Sequence, residues 1–300
     1  MFISDQKDTV LRGVGSNTMN KFGIVFDSTV YINKKILEEN NVKVASLNVV
    51  AGTESYRELD IDNKFVFDMQ DKGASFTTSQ PAPGEFLNAY EELINQGIKK
   101  IFVVTLSKNI SGTYQSALIA KNMLEEPNNV HVFDTMLAAF GTEMIGIELI
   151  DMINSGKTEE EIVTRITKII GTSGQMFTVE NLFSLAKGGR LTATQAMIGT
   201  VLRVKPIIKV VDGKLKLDKK ERSYKKVHNY FLETIKKESN GYENITFYIT
   251  ETSSPESGLV LKGEIEEHFP KAKITFTDYL GPVFSIHVGK KGYGLSWFAE

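Results

Sequence analysis

A polar turn between an apolar strand and a helix carries the residues best suited to bind an anion. The apolar run at 101–105 is followed by the polar turn 107–112, and an amphipathic helix pattern begins near Thr113. This order places the Ser111 hydroxyl, Gly112 and the free N–H groups of a helix N-terminus at the carboxyl end of a predicted strand. Such a corner suits a carboxylate or a phosphate, and open α/β sheets bind ligands at this edge. The same sequence also fits an ordinary strand-to-helix turn with a serine cap.

Two more polar clusters fall where predicted elements end. Asp27-Ser28-Thr29 follows the first predicted strand, and Thr78-Ser79 precedes a predicted helix. If the strands belong to one parallel sheet, these side chains converge with the serine corner on the ligand-binding edge. Hydroxyls and a helix N-terminus suit charge-assisted hydrogen bonds to an anion. Each cluster also has a simpler interpretation, in which its side chains only cap a turn or a helix.

A fourth cluster, His287 with Gly289, lies near the C-terminus and offers the best candidate for a general base. A hydrolase triad of Ser111, His287 and Asp27 is formally possible, but no GxSxG elbow supports it. Asp27 has no second carboxylate nearby in sequence to help it bind magnesium. The segment KGGR at 187–190 is too short for a phosphate-binding Walker loop.

The composition excludes several functional classes. The chain has 300 residues, 41% of them hydrophobic, with a formal charge of −2, so no nucleic-acid partner is indicated. It has no cysteines, and its four histidines show no metal-ligand spacing, so no metal site is predicted. No apolar run approaches the roughly 20 residues needed to span a bilayer. Without a secretory signal pattern, the expectation is a soluble cytoplasmic protein, with residues 1–20 as a disordered or non-native extension.

Residues 21–170 alternate strand and helix patterns, which predicts a mainly parallel sheet with helices on both faces. The expected strands are 22–26, 42–50, 101–105 and 130–133. Residues 53–77 have no clear period and are expected to form loops and a short helix. A capping box of Thr158 and Glu161 predicts the start of the last helix of this half.

A change of pattern after the glycine-rich segment 171–174 predicts a linker there and a second, α+β domain at 171–300. The patterns in this half predict helices at 179–186 and 192–201, a hairpin at 206–217, a helix at 224–238, a strand at 245–250, a helix near 256–268 and a strand at 273–279. Asp212-Gly213 between two alternating runs is a strong signal for a type I′ turn.

Six segments together resemble the DegV family of bacterial fatty-acid-binding proteins, which includes the acyl-carrying subunit of fatty acid kinase. They occur in the family's order from about Phe22 to the end: DST at 27–29, TSQP at 78–81, SGTYQSA at 111–117, KGGR at 187–190, KPII at 205–208 and GPVFSIHVG at 281–289. The resemblance implies a two-domain α/β protein that encloses one long-chain fatty acid. It implies no cofactor beyond that ligand.

The resemblance also assigns roles to individual residues. It implies that Thr78 or Ser79, together with Ser111, binds the fatty acid carboxylate, and that His287 lies near the same head group. Where a kinase partner exists, Arg190 and a second arginine, here Arg222, would help to present the acyl group. A separate kinase subunit would supply ATP chemistry and form an acyl phosphate on this non-catalytic carrier.

The chain departs from the family at one place, where Lys290 and Lys291 replace the usual proline and second glycine after His287-Val288-Gly289. Three interpretations remain open at this stage. The first is a lipid carrier that works with a kinase, and the second is a hydrolase or transferase that uses the same anion-binding corner. The third is a regulatory module that docks through the basic segment 214–226.

Overall fold

The computed structural model describes residues 22–179, 182–192, 204–252, 256–277 and 280–300. The strands are β1 (Gly23–Asp27), β2 (Lys43–Ala45), β3 (Asn48–Ala51), β4 (Glu54–Arg57), β5 (Phe76–Ser79), β6 (Ile101–Thr105), β7 (Val130–Asp134), β8 (Ser173–Thr178), β9 (Lys205–Val211), β10 (Lys214–Glu221), β11 (Ile245–Glu251), β12 (Lys273–Phe276) and β13 (Tyr293–Ala299). The helices are α1 (Lys34–Glu39), α2 (Asn63–Asp71), α3 (Pro83–Asn95), α4 (Thr113–Asn122), α5 (Phe140–Asn154), α6 (Glu159–Gly171), α7 (Phe183–Lys187), α8 (Tyr224–Glu238), α9 (Glu256–His268) and α10 (Pro282–Val288). The extension expected at 1–20, and all but the first residue of the helix expected at 192–201, lie outside the described residues.

The first sheet is parallel, with the order β2-β1-β6-β7. Its two central strands, β1 and β6, are buried along their whole length, as expected for a parallel sheet that is covered on both faces. Alternate side chains of these strands enter two different cores: Val25 and Val103 pack with α3 and α4, while Phe26 and Val104 pack with α5 and α6. The predicted parallel sheet with helices on both faces is therefore confirmed.

The expected single strand at 42–50 is wrong, because the chain breaks there into two strands of different sheets. β2 joins the parallel sheet, and β3 is the centre of a second, antiparallel sheet with the order β4-β3-β5. Ser46 and Leu47 form the break, and both are buried, so the hydrophobic pattern gives no sign of it. β4 is largely exposed and polar, and it is recognisable as a strand only through its pairing with β3.

The linker expected at 171–174 is also wrong. Helix α6 ends at Gly171, and β8 begins only two residues later as an inner strand of the third sheet, with the order β10-β9-β8-β13-β11-β12. Within β8, Gly174 pairs with Trp297 of β13, and the indole ring packs directly against it. A Cβ on Gly174 would come 2.1 Å from that ring. A glycine inside a strand here marks a close approach, not a flexible connection.

Two helices connect the halves of the chain. α5 is buried almost throughout and packs against β6 on one side and against β11 and β13 on the other. α10, from the C-terminal half, contacts α2, β3 and β5 of the N-terminal half. These contacts connect the hydrophobic cores of the two halves of the chain. A division into two separate domains at residue 170 therefore stays a prediction.

The hairpin of β9 and β10 forms with the predicted turn, in which Asp212 and Gly213 have φ values of 52° and 71°. Its tip lies on the loop after β6: Ser107 Oγ donates to the Gly213 carbonyl at 2.8 Å, and Asn109 Nδ2 donates to the Asp212 carbonyl at 2.8 Å. This contact brings the second half over the carboxyl edge of the first sheet. Among the described residues, no helix has the length and apolarity that crossing a membrane requires.

Candidate functional site

A narrow cavity lies between the two halves, at the carboxyl edge of the parallel sheet. The empty space among its lining atoms, including the part that is open to solvent, is about 750 Å³. Most of the lining is apolar, with Leu106, Phe140, Phe177, Leu280 and Val288 among its residues. No acidic side chain belongs to the lining that the structure describes, whereas Arg190 and His287 do. The cavity therefore suits a slender apolar molecule that carries a negative charge.

Thr78 and His287 meet at the polar end of this cavity. Thr78 Oγ1 lies 3.0 Å from His287 Nε2, although the two residues are 209 positions apart in sequence. Ser79 also belongs to the lining, but it is exposed and makes no comparable contact in the described part of the chain. Of the two alternatives left open by the sequence, Thr78 is therefore the better placed to meet a ligand together with His287.

The serine corner lies beside this pair. Helix α4 begins at Thr113, as predicted, its N-cap is Gly112, and Ser111 lines the cavity. Ser111 Oγ is 2.8 Å from Thr113 Oγ1. Gly112 allows the Gln80 side chain to approach, because a Cβ on Gly112 would lie 2.2 Å from Gln80 Oε1. The two loops, which follow β5 and β6, are thereby held together at one end of the cavity.

Burial and a nearby cation keep His287 neutral. The pKa of His287 is lowered to about 4, chiefly by desolvation and in addition by the Arg190 guanidinium, while a hydrogen bond with the Ser184 backbone opposes the shift. Within the described residues, Nδ1 is buried without a hydrogen-bond partner at normal distance. The imidazole is thus a neutral group at pH 7, with one nitrogen on Thr78 and the other close to the arginine loop.

The arginine loop approaches His287 through a glycine. A Cβ on Gly188 would lie 2.8 Å from His287 Cε1, 3.0 Å from Nδ1 and 3.3 Å from Arg190 Nη1. Arg190 itself lines the cavity and donates to the Gly188 carbonyl. Burial lowers the pKa of Arg190, but an arginine stays charged at neutral pH. The predicted residues Arg190 and His287 are therefore neighbours.

We expect Gly188→Ala to displace the His287 ring, because the new methyl group would overlap it. Gly188 has φ −75° and ψ −5°, which alanine adopts without strain, so the effect would be purely steric. Ring ¹⁵N NMR signals of His287 should shift, while those of the distant His131 stay in place. Gly189→Ala is the matched control: its φ of +75° disfavours alanine, but nothing lies within 4 Å of the new Cβ. A Gly189→Ala protein that moves His287 as far would contradict this interpretation.

Asp27, Ser28 and Thr29 support the cavity from behind and do not line it. Asp27 is completely buried and accepts hydrogen bonds from the N–H of Leu106 at 2.8 Å and from the N–H and hydroxyl of Thr29. Ser28 Oγ accepts from the N–H of Leu47 at 3.0 Å. Leu47 and Leu106 are lining residues, so this cluster fixes the cavity wall. Burial raises the pKa of Asp27 to about 6.

The sequence did not reveal Glu58, which is the second buried acid of this region. It is 3% exposed and accepts hydrogen bonds from the hydroxyls of Ser28 and Tyr31 and from the N–H of Val283. Burial raises the pKa of Glu58 to about 7, and the nearby Asp27 adds to this. No local pattern marks this residue, because it stands in the polar stretch ESYRELD and its partners come from distant segments.

Gly289 lies at the end of α10, where its φ of 80° and ψ of −173° are open mainly to glycine. The substituted Lys290 follows it, and its Nζ lies 3.1 Å from Asp71 Oδ1 and 5.3 Å from the Phe67 ring centroid. In this chain the lysine therefore connects the end of α10 to α2. Gly289 itself makes no close approach, and its role is to end the helix.

Arg222 directly follows β10, and within the described residues no contact joins it to Thr78, Ser111, His287 or Arg190, so its role stays a prediction. The formal triad is not assembled, since His287 contacts Thr78, Ser111 contacts Thr113, and Asp27 contacts Leu106 and Thr29. Among the described residues there is also no group of three or more His, Asp or Glu that would hold a metal ion.

Comparison with known proteins identifies the family. The DegV family model, described as "Uncharacterised protein, DegV family", matches residues 21–300, and this chain belongs to that family. A DegV domain-containing protein of Staphylococcus aureus is 32% identical over 283 residues, covering 92% of this chain and 97% of the relative.

Solved structures share the fold. A DegV family protein from Thermus thermophilus, described by its fatty acid binding, superposes with a TM-score of 0.83 at 26% identity, covering 93% of this chain and 99% of that one. The Fatty Acid Kinase (Fak) B3 protein of Streptococcus pneumoniae, loaded with linoleic acid, gives a TM-score of 0.81 at 22% identity, covering 93% and 99%. At that identity the second likeness concerns the fold alone.

Proposed function

We propose that this protein binds one long-chain fatty acid, with the acyl chain in the cavity and the carboxylate at Thr78, Ser111, His287 and Arg190. The observation that carries the proposal is an apolar cavity that ends in hydroxyls, a neutral imidazole and a guanidinium. The fatty acid binding of the Thermus thermophilus relative supports it.

The two ends of the cavity match the two parts of such a ligand. Burying about a dozen methylenes at roughly 0.8 kcal/mol each offers on the order of 10 kcal/mol before the costs of association. A carboxylate taken out of water loses this advantage unless its oxygens keep hydrogen bonds. Thr78, Ser111 and His287 have polar atoms at that end, and Arg190 supplies the opposite charge.

Loading the delipidated protein with oleate should raise the pKa of His287 above its value of about 4, since a carboxylate nearby favours the imidazolium form. The measurement is a pH titration of the ring ¹⁵N signals, with and without saturating oleate. Signals of the exposed His268 serve as the internal reference. If oleate binds but leaves the His287 titration unchanged, the carboxylate lies elsewhere.

The presence of a ligand is tested by denaturing extraction of the purified protein and mass spectrometry of the extract. One equivalent of a fatty acid is expected. An empty protein that also fails to take up oleate, or one that releases a small phosphorylated metabolite, would overturn the proposal in favour of an enzyme acting on a small substrate.

We further propose that a separate kinase subunit phosphorylates the bound acid. One carboxylate oxygen would attack the γ-phosphorus of ATP, ADP would leave, and an acyl phosphate would remain on this carrier. A polar groove on the outer side of Arg190 supports such access, because Arg190, Ile110 and Leu215 line both the groove and the cavity. The Fak B3 protein of Streptococcus pneumoniae supplies the analogy.

Two arginine variants test this step separately from lipid binding. Arg190→Ala should keep much of its bound fatty acid but lose acyl phosphate formation with the cognate kinase and ATP. Arg222→Ala should keep the lipid fully, and it affects phosphorylation only if the kinase docks on the surface at the far end of β10. Normal acyl phosphate formation by Arg190→Ala would refute the presenting role of this residue.

A further inference from the structure

The helix that carries His287 has an unusual N-terminus. α10 runs from Pro282 to Val288, and its N-cap Gly281 offers no side-chain acceptor. Pro282, at the first position, has no N–H, so the first backbone donor of the helix is the N–H of Val283. In a short helix buried on all sides, this donor needs a partner from elsewhere in the chain.

Glu58 is that partner. Its Oε1 accepts from the Val283 N–H at 2.9 Å across 225 positions of sequence, and the same oxygen accepts from the Tyr31 hydroxyl at 2.8 Å. Its other oxygen accepts from the Ser28 hydroxyl. A carboxylate also complements the positive end of a helix dipole. Glu58 thus acts as the N-terminal cap of α10.

Val283 and His287 are four residues apart, so they lie one turn apart on the same face of α10. Glu58 contacts the first turn of that face, and Thr78 contacts the imidazole at the other end, at 3.0 Å. Val283 and His287 both belong to the cavity lining. The carboxylate therefore fixes the first turn of the short helix whose last turn carries His287.

We propose that Glu58 is a positioning residue for the head-group site, which holds α10 so that His287 lies against Thr78. The expected weaker binding of fatty acid rests on the proposed function, whereas the expected change in the position of His287 does not. It extends the site to a residue that contacts neither the cavity nor, on this proposal, the ligand. The side chain of Glu58 is a second layer behind Val283 and Leu47.

The test uses three substitutions that change different parts of this contact. Glu58→Asp keeps the charge but is one methylene shorter, so it no longer reaches the Val283 N–H together with Tyr31 and Ser28. Glu58→Gln keeps the length and an acceptor oxygen for Val283. Tyr31→Phe removes the hydroxyl that donates to the same carboxylate and also hydrogen-bonds the Phe284 backbone of α10, while the Val283 N–H keeps its acceptor and the ring stays against Gly281, where a Cβ would lie 2.2 Å from Tyr31 Cε1.

Two readouts are needed, ring ¹⁵N NMR of His287 without ligand and the dissociation constant for oleate. We expect Glu58→Asp to shift the His287 signals and to weaken oleate binding about tenfold, as for one lost hydrogen bond. Glu58→Gln should change the affinity less than threefold, and Tyr31→Phe should shift the His287 signals less than Glu58→Asp does, because the Val283 N–H keeps its acceptor. The signals of His131 and His228 should stay unchanged in all three proteins.

Unchanged His287 signals in Glu58→Asp would overturn the proposal, as would an equal shift in Tyr31→Phe, which would point to a general loss of stability. If Glu58→Asp does not fold, hydrogen exchange in Glu58→Gln decides. If the backbone amides of residues 282–288 exchange as slowly in Glu58→Gln as in the unaltered protein, the result supports the proposal. If these amides exchange faster while the His287 signals stay unchanged, the result refutes it. If the unaltered protein binds no oleate, the proposed function fails, while the NMR result still tests the positioning.

Discussion

The double variant Thr78→Val, Ser111→Ala should bind oleate about 100 to 10,000 times more weakly than the unaltered protein. Hydrogen bonds to a charged group contribute about 1.5–3 kcal/mol each, which corresponds to roughly 10- to 100-fold in affinity per hydroxyl. The loss is large because both hydroxyls are partly buried, so water replaces the missing donors only in part. Both hydroxyls belong to the lining, and Thr78 additionally orients His287.

The measurement is the dissociation constant of oleate, by isothermal titration calorimetry on delipidated protein. Thr77→Val is a suitable control, because Thr77 is exposed and its side chain points to the opposite face of β5. Thermal unfolding of each variant verifies that the fold is intact. An unchanged affinity in the double variant, or an equal loss in Thr77→Val, would contradict the proposed position of the carboxylate.

The contribution of two buried acids, Glu58 and Asp27, to the free energy of unfolding should fall as the pH rises from about 4 to about 8, because both have raised pKa values. Burial raises that of Glu58 from 4.5 to about 7 and that of Asp27 from 3.8 to about 6. An acid with a raised pKa in the folded state stabilises the fold fully below its unfolded pKa. This stabilisation is lost as the pH passes the folded pKa. For Glu58 the loss is on the order of 3 kcal/mol.

Urea unfolding of the unaltered protein and of Glu58→Gln at a series of pH values isolates this contribution. Gln cannot ionise, so the stability of Glu58→Gln has no contribution from this titration. Between pH 4.5 and pH 8 the unaltered protein should therefore lose about 2–3 kcal/mol of unfolding free energy relative to Glu58→Gln. Asp27 and Tyr31 face the same carboxyl group and remain in both proteins. Glu54→Gln, at an exposed position, should show no such change. A difference that is constant with pH would show that Glu58 has an ordinary pKa.

The two predictions together describe a site that is maintained at a cost in stability. Asp27 and Glu58 are buried acids with unfavourable ionisation, yet their oxygens satisfy the N–H groups of Leu106 and Val283, both in the cavity wall. Replacing such a network by apolar residues often stabilises a protein. On the proposed function, this network fixes the cavity wall around the carboxylate of the bound fatty acid.

Local signals in the sequence determined the elements whose stability is local. The capping box of Thr158 and Glu161, Pro83 at the start of α3 and Gly97 beyond its end are all found in the structure. The same holds for the Asp212-Gly213 turn. These features depend on backbone conformations and hydrogen bonds within a few residues, so the sequence contains all the information required.

The tertiary structure decided what depends on distant partners. The sequence gives no sign of the antiparallel sheet β4-β3-β5, because β4 is polar and pairs only through its backbone. The start of β8 looks like a linker, because Gly174 makes room for Trp297. The family resemblance named Thr78, Ser111, Arg190 and His287, but only the folded chain brings Thr78 to His287.

Glu58 shows the same limit most clearly. The sequence by itself determined a parallel α/β half, a second β-rich half and a set of hydroxyls at strand ends. Which acid caps the helix of His287 was decided by packing, because Ser28 and Tyr31 follow β1 and Val283 lies in the second half of the chain, so they meet Glu58 only in the folded protein. Desolvation and hydrogen bonding act on distances in space, and no spacing along the chain encodes them.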